Sequence, residues 1–320
     1  MASLASQGSH GWWKLSLALP GDLEESLLWK LPELGVHRVA VVHRPLEPLN
    51  RELQAWLPES DWSEADLQAL ERALAPLGDS FALQLPPLSW ERVADEDWSL
   101  SWKQHWAPDP IGATLLVLPA WLEVPEEAQG RRVIRLDPGP AFGTGSHPST
   151  RLCLEGLEGL AASEVREGDS SGQPLKGLRV ADLGCGSGLL GLAALALGAE
   201  WVYAVDTDPL AIRATQGNAA LNGFQTLSVR EGSTAELESL LQGEPADVLL
   251  CNILAPVIAE LSSSFPRLLR QNGHGLLSGL LVTQADGLLS GLRAQGWQAT
   301  LAAIQEPWAL LRLGPEPDVT

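Results

Sequence analysis

The chain has little cysteine. Cys153, Cys185 and Cys251 are the only three in 320 residues, an odd number without the paired spacing of zinc ligands. That disfavours a disulfide framework and a thiolate metal site. Each lies in an apolar or glycine-rich stretch, so buried, reduced thiols are expected. The histidines His10, His37, His43, His105, His147 and His274 show no ligand spacing with cysteine or carboxylate, and no metal is expected. Basic residues are also scarce: 21 Lys and Arg stand against 40 Asp and Glu, for a net charge of −19. Such a deficit argues against direct contact with a nucleic-acid backbone. It would draw basic partners inward, though its plainest effect is solubility. No apolar run reaches the roughly 18–20 residues that a membrane span requires. The opening MASLASQGSHGWWK has neither the basic start nor the apolar core of a signal peptide. The expected home is the cytoplasm.

What is present is a globular composition, 45% hydrophobic and 19% charged, in a chain long enough for two domains. Residues 12–85 read as strands at 12–19, 36–43, 51–57 and 81–85 with helices at 22–33 and 63–75. This βαββαβ order predicts a ferredoxin-like α+β domain over residues 1–88. Asp22 and Ser63 are the candidate N-caps. The segment has no glycine-rich phosphate loop and no RNA-binding aromatic signature, so it is expected to recognise a protein substrate. Residues 89–112 form a linker. In it Trp98, Trp102 and Trp106 share one helical face, and the neighbouring acids Glu91, Asp95, Glu96 and Asp97 oppose a nucleic-acid stacking role. Pro108 and Pro110 mark the boundary, and residues 113–320 form the second domain.

The second domain is organised around VADLGCGSGLLGLAALALGAEWVYAVDTD, residues 180–208, which reads as strand, glycine turn, helix, strand. Gly184, Gly186 and Gly188 allow a sharp turn and close backbone approach to a ligand. Asp206 ends the next strand, where a carboxylate can accept from ribose hydroxyls. This predicts a nucleoside-binding crevice. A dinucleotide fingerprint is G-x-G-x-x-G; here the third glycine comes one residue early, and G-x-G-x-G resembles the first motif of class I S-adenosylmethionine (SAM) methyltransferases. SAM has no phosphate to cradle, and its cationic sulfonium suits acidic surroundings. Beyond Asp206, Asp208-Pro209 reads as an N-cap and first helical position, and strands follow at 227–230 and 247–250. A helix at 256–269, a strand at 275–280 and a helix at 283–294 come next. Strands at 297–303 and 308–313 have no helix between them and should pair antiparallel. The expected fold is the Rossmann-like, mostly parallel seven-stranded sheet of class I methyltransferases.

Four stretches, DPGPAFGTGSHPSTRLCLEGL, DLGCGSG, VDTDPLAI and CNILA, together resemble one family, the ribosomal protein L11 methyltransferases (PrmA). The resemblance spans residues 98–313, and AFGTGSHPST is its most specific element. It implies a cytoplasmic SAM-dependent enzyme that methylates the α-amine and lysine side chains of ribosomal protein L11. Matching by motif puts SAM contacts at Thr150, Gly184, Asp206 and Asn252, with Gly186 in the same turn. Thr150 would offer a hydroxyl near the methionine carboxylate, and Asn252 would orient the methionine part or the incoming amine. His147 is a candidate base for the ammonium proton; the favoured alternative is that it hydrogen-bonds its own loop, because methyl transfer from a sulfonium needs positioning more than acid–base help. Two departures stand out: an insertion at 164–174, and Ala255-Pro256 where a glycine is expected. Neither removes a proposed ligand. Two other functions fit the same motifs, a class I methyltransferase acting on RNA or a small molecule, and a non-catalytic SAM-binding ribosome-assembly factor.

Overall fold

The computed structural model describes residues 11–20, 23–36, 38–44, 47–81, 84–93, 107–137, 147–164 and 172–314. The expected Trp98–Trp102–Trp106 helical face, Asp22, and positions 138–146 of the loop before Thr150 lie outside the described residues. The chain falls into two compact units that divide between Ala107 and Pro108.

In the first unit the order is β1 (Trp12–Ala18), α1 (Glu24–Glu33), β2 (Val39–Arg44), β3 (Glu47–Pro58), α2 (Glu64–Leu74) and β4 (Ser89–Val93). The sheet runs β2-β3-β1-β4 with every pair antiparallel, as the ferredoxin-like order requires. Alternation explains β1: Trp13, Leu15 and Leu17 are buried between partly exposed Trp12, Lys14 and Ser16. Ser63 caps α2, and Asp66 accepts the Ser63 backbone N–H at 2.8 Å, closing a reciprocal cap. Leu67, Leu70 and Leu74 then bury one face of that helix. Among the described residues the fourth strand is Ser89–Val93 and a 3₁₀ segment occupies Ala75–Phe81; positions 82 and 83 of the strand expected at 81–85 lie outside the described residues. Pro86 and Pro87 lack the N–H groups a paired strand needs, and pairing resumes only beyond them.

The second unit opens with a small sheet, β5 (Asp109–Ile111), β6 (Leu115–Pro119) and β7 (Arg132–Leu136), in that order. Then come α3 (Pro148–Glu164), β8 (Arg179–Leu183), α4 (Leu189–Ala196), β9 (Trp201–Asp206), α5 (Pro209–Leu221), β10 (Leu227–Glu231), α6 (Thr234–Leu241) and β11 (Ala246–Asn252). The chain ends with α7 (Ala255–Leu261), α8 (Phe265–Leu268), β12 (Leu269–Leu281), α9 (Val282–Ala294), β13 (Ala299–Gln305) and β14 (Trp308–Leu313). The seven-stranded sheet runs β10-β9-β8-β11-β12-β14-β13; β14 is antiparallel to both neighbours and the other pairs are parallel. Both faces are covered. Leu189, Leu192, Ala193 and Leu154 pack on one side, and Leu237, Ile258, Phe265 and Leu289 on the other. That is why β8 and β11 are continuously buried rather than alternating. The helix expected at 256–269 breaks at Ser262–Ser264, because Pro266 cannot continue the hydrogen-bond ladder and instead starts a new short helix.

From β8 the chain winds outward to β9 and β10, then crosses back to β11. The switch lies between β8 and β11. Open α/β sheets bind ligands there, beyond the carboxyl ends of the strands.

Candidate functional site

β8 delivers Asp182-Leu183 into the turn Gly184–Gly188. Gly184, Gly186 and Gly188 have φ of +77°, +55° and +82°, a region that costs any other residue strain. Packing adds to the demand at two of them. A Cβ on Gly184 would lie 2.4 Å from Ile253 Cγ2, and one on Gly188 would lie 2.8 Å from Thr215 Cγ2. Those two glycines therefore fit the protein's own packing as well as the close ligand approach read from the sequence.

Asp206 ends β9 with its carboxylate against this turn. Oδ2 accepts the Gly186 backbone N–H at 2.9 Å and Oδ1 accepts that of Asp208 at 3.0 Å. A carboxylate has about four lone-pair sites, so acceptor capacity remains for two hydroxyls. Burial raises its pKa, and the N–H bonds from Asp208 and Gly186 act the other way.

One acid of the crevice had not been singled out from the sequence. Asp182, 1% exposed, accepts the Gly191 N–H on Oδ2 at 3.0 Å, and its buried Oδ1 has no partner among the described residues. Burial lifts its pKa to about 7, offset by the Gly191 bond and reinforced by the charge of Asp206. Cys153, Cys185 and Cys251 are free and buried, and burial with the charge of Asp182 raises all three thiols. The signal available was an acid in the middle of an otherwise apolar strand end.

Thr150 and Asn252 are 102 positions apart and meet: Asn252 Nδ2 donates to Thr150 Oγ1 at 3.1 Å. Thr150 lies buried in the first turn of α3, and Asn252 ends β11 beside the glycine turn. Cys251 pairs with Leu183, and Ile253 seats against Gly184. Asn252 Oδ1 is buried without a hydrogen-bond partner among the described residues. The five proposed ligands thus gather at the carboxyl ends of β8, β9 and β11. His147 is buried, and its Nδ1 accepts the Ser149 N–H at 3.2 Å and lies 2.7 Å from Ser149 Oγ. Its ring meets Trp308 edge-on at 4.6 Å, and its carbonyl accepts the Arg151 N–H.

Glycine turn, strand-end carboxylate and strand-end asparagine, set at the switch point of this sheet, define a class I SAM-dependent methyltransferase. The buried unpartnered Asn252 Oδ1 and the held Asp206 carboxylate suit a ligand with both amine-like and ribose donors. The family model described as "Ribosomal protein L11 methyltransferase (PrmA)" matches residues 11–314. The chain belongs to that family. It is 56% identical to the ribosomal protein L11 methyltransferase of Synechococcus sp. (strain RCC307) over 303 residues, covering 94% of this chain and 96% of that one. To the protein of the same name from Prochlorococcus marinus (strain MIT 9303) it is 55% identical, with the same coverage. Among solved structures, the ribosomal protein L11 methylase of Lactobacillus delbrueckii subsp. bulgaricus aligns with a TM-score of 0.53 and 28% identity, over 66% of this chain and 98% of that one.

Proposed function

We propose that this methyltransferase acts on amino groups of ribosomal protein L11, its lysine side chains and its N-terminal α-amine. Relatives more than half identical over nearly the whole chain carry that substrate in their names. The observation that carries the chemistry is the buried, unpartnered Oδ1 of Asn252. Thr150 Oγ1 takes the Nδ2 side of the same amide, which leaves Oδ1 as the acceptor still without a partner among the described residues. An amine donating one N–H to that oxygen is held at the strand end, and only a neutral amine has the lone pair that attack requires. Bound SAM supplies an electrophilic methyl group on a sulfonium, whose C–S electrons leave with the sulfur. Thr150 retains its O–H for the methionine carboxylate, Gly184 and Gly186 allow close backbone approach, and Asp206 accepts from the ribose. His147 has Nδ1 engaged by Ser149 and its ring against Trp308. Those contacts support a role in fixing the loop end, with the amine's proton passing to solvent.

The first unit grips the protein substrate in this scheme, and the second performs the transfer. A ribosomal protein as substrate implies work in the cytoplasm. The test is Asn252→Ala. Methyl transfer should fall about a hundredfold, the scale of a misplaced reacting group, while SAM affinity falls about tenfold or less. Equal losses in both, or no loss of rate, would remove Asn252 from the amine's side of the site.

A further inference from the structure

α5 begins three residues beyond Asp206, capped by Asp208, whose side chain accepts the Leu210 N–H at 2.8 Å. The face it buries carries polar residues beside Ala211 and Ala219. Thr215 and Asn218 are 0% and 2% exposed, and Asn222 follows one turn later on the same side. A helix covering a sheet normally buries apolar residues, so three polar ones need partners. Apart from a 3.4 Å contact between Thr215 Oγ1 and Cys185 Sγ, every partner is backbone. Thr215 Oγ1 donates to the Gly186 carbonyl at 3.0 Å. Asn218 Nδ2 donates to the Ser187 carbonyl at 2.9 Å, and Asn218 Oδ1 accepts the Asp137 N–H at 2.9 Å. Asn222 holds Arg135 by both its N–H and its carbonyl, each at 2.7 Å.

Peptide groups are planar and trans, so fixing a carbonyl fixes the direction of the following N–H. Two successive carbonyls of the glycine turn, Gly186 and Ser187, are tied to α5. The N–H that follows the Ser187 carbonyl, that of Gly188, donates to the Cys185 carbonyl at 2.8 Å, and the N–H in the same peptide as that carbonyl, that of Gly186, holds Asp206 Oδ2. We infer that Asn218 is a positioning residue for the cofactor site: through the Ser187 carbonyl it fixes the glycine turn that aims the Asp206 carboxylate, and through the Asp137 N–H it ties that turn to the end of β7. It touches no ligand in this scheme. An apolar residue of the same size fills the space but cannot orient the turn.

The inference rests on Asp206 as the ribose acceptor, and the experiment separates the two. SAM affinity is measured by calorimetry on the full chain for Asn218→Ala, Asp206→Ala and the double variant. Asn218→Ala should weaken binding about tenfold, the scale of one hydrogen-bonded contact. The double variant should match Asp206→Ala within about twofold, because aiming an absent carboxylate has no effect. Ala219→Gly, on the same helix, lowers stability without touching the turn and should leave affinity unchanged. Should Asn218→Ala fail to fold, Asn218→Asp keeps the size and the acceptor for Asp137 but loses the donor to Ser187, and the same weakening is expected. Unchanged affinity in a folded Asn218 variant, or losses that multiply in the double variant, overturns the inference alone. Unchanged affinity in Asp206→Ala overturns the ribose assignment and the inference with it.

Discussion

Asp182→Asn is expected to stabilise the protein above neutral pH and to flatten its response to pH below that. The wild-type carboxyl is 1% exposed at the end of β8, and burial raises its pKa from 3.8 to about 7 against the opposing Gly191 hydrogen bond. Between those values the folded chain keeps a proton that the unfolded chain has released. Stability is therefore fully present below the unfolded pKa and is lost as pH rises, the loss being complete above the folded one. About three units at 1.36 kcal/mol each amount to about 4 kcal/mol over the whole window. Between pH 5 and pH 8 the wild type should lose about 3 kcal/mol that an uncharged isostere keeps. Asparagine has the same size and can still accept from Gly191. Asp206 is also raised, chiefly by burial, but subtracting one unfolding series from the other cancels its share. The assay is urea denaturation of both proteins at pH 5 and pH 8. Curves that shift in parallel, with no gain for Asp182→Asn at the higher pH, would refute the assignment of Asp182 as a buried acid held neutral by its surroundings.

Three further outcomes are expected. Gly188→Ala should cost at least about 1–2 kcal/mol for the left-handed backbone alone, whereas Gly217→Ala, with nothing within 4 Å of its Cβ on the exposed side of α5, should gain about 0.4–1 kcal/mol; denaturation midpoints that move in the same direction would refute the backbone argument. A fragment of residues 108–320 should bind SAM nearly as well as the full chain but methylate intact L11 far more slowly; equal efficiency would show that the first unit does not grip the substrate. With a net charge of −19, the second-order rate with a lysine-bearing protein should fall as salt screens charges beyond about 10 Å at 0.1 M, while turnover at saturation stays level; a flat second-order rate would leave the acidity a solubility feature.

Local signals carried most of the fold. Asp208-Pro209 started α5 where expected, Ser63 with Asp66 started α2, and the helix-free link before Trp308 placed β14 antiparallel beside β13. Failures came where the signal was short or polar. β4 has a mostly exposed SWERV sequence that offers no apolar alternation, and the eight-residue α6 was passed over although Ser233 and Glu236 mark its start. As candidate site residues, the glycine turn, Asp206, Thr150 and Asn252 stood out because each sits in a short contiguous motif, and the structure brings them together. Asp182 heads the DLGCGSG stretch, but nothing in the motif shows that its carboxyl is buried with one oxygen unpartnered among the described residues, which only the tertiary packing brings about. The buried polar residues of α5 were hidden for a related reason: their partners Ser187, Asp137 and Arg135 lie 31 to 87 positions away, and nothing local distinguishes Asn218 from an ordinary exposed asparagine.

The most direct measurement is methyl transfer itself. The protein is incubated with methyl-labelled SAM and ribosomal proteins from cells lacking this modification, and the labelled species is identified by peptide mass. Label on L11, at lysine side chains or at the N-terminal α-amine and dependent on Asn252, is the expected result. Label on RNA or on another ribosomal protein, or SAM binding with no transfer to L11, would contradict it.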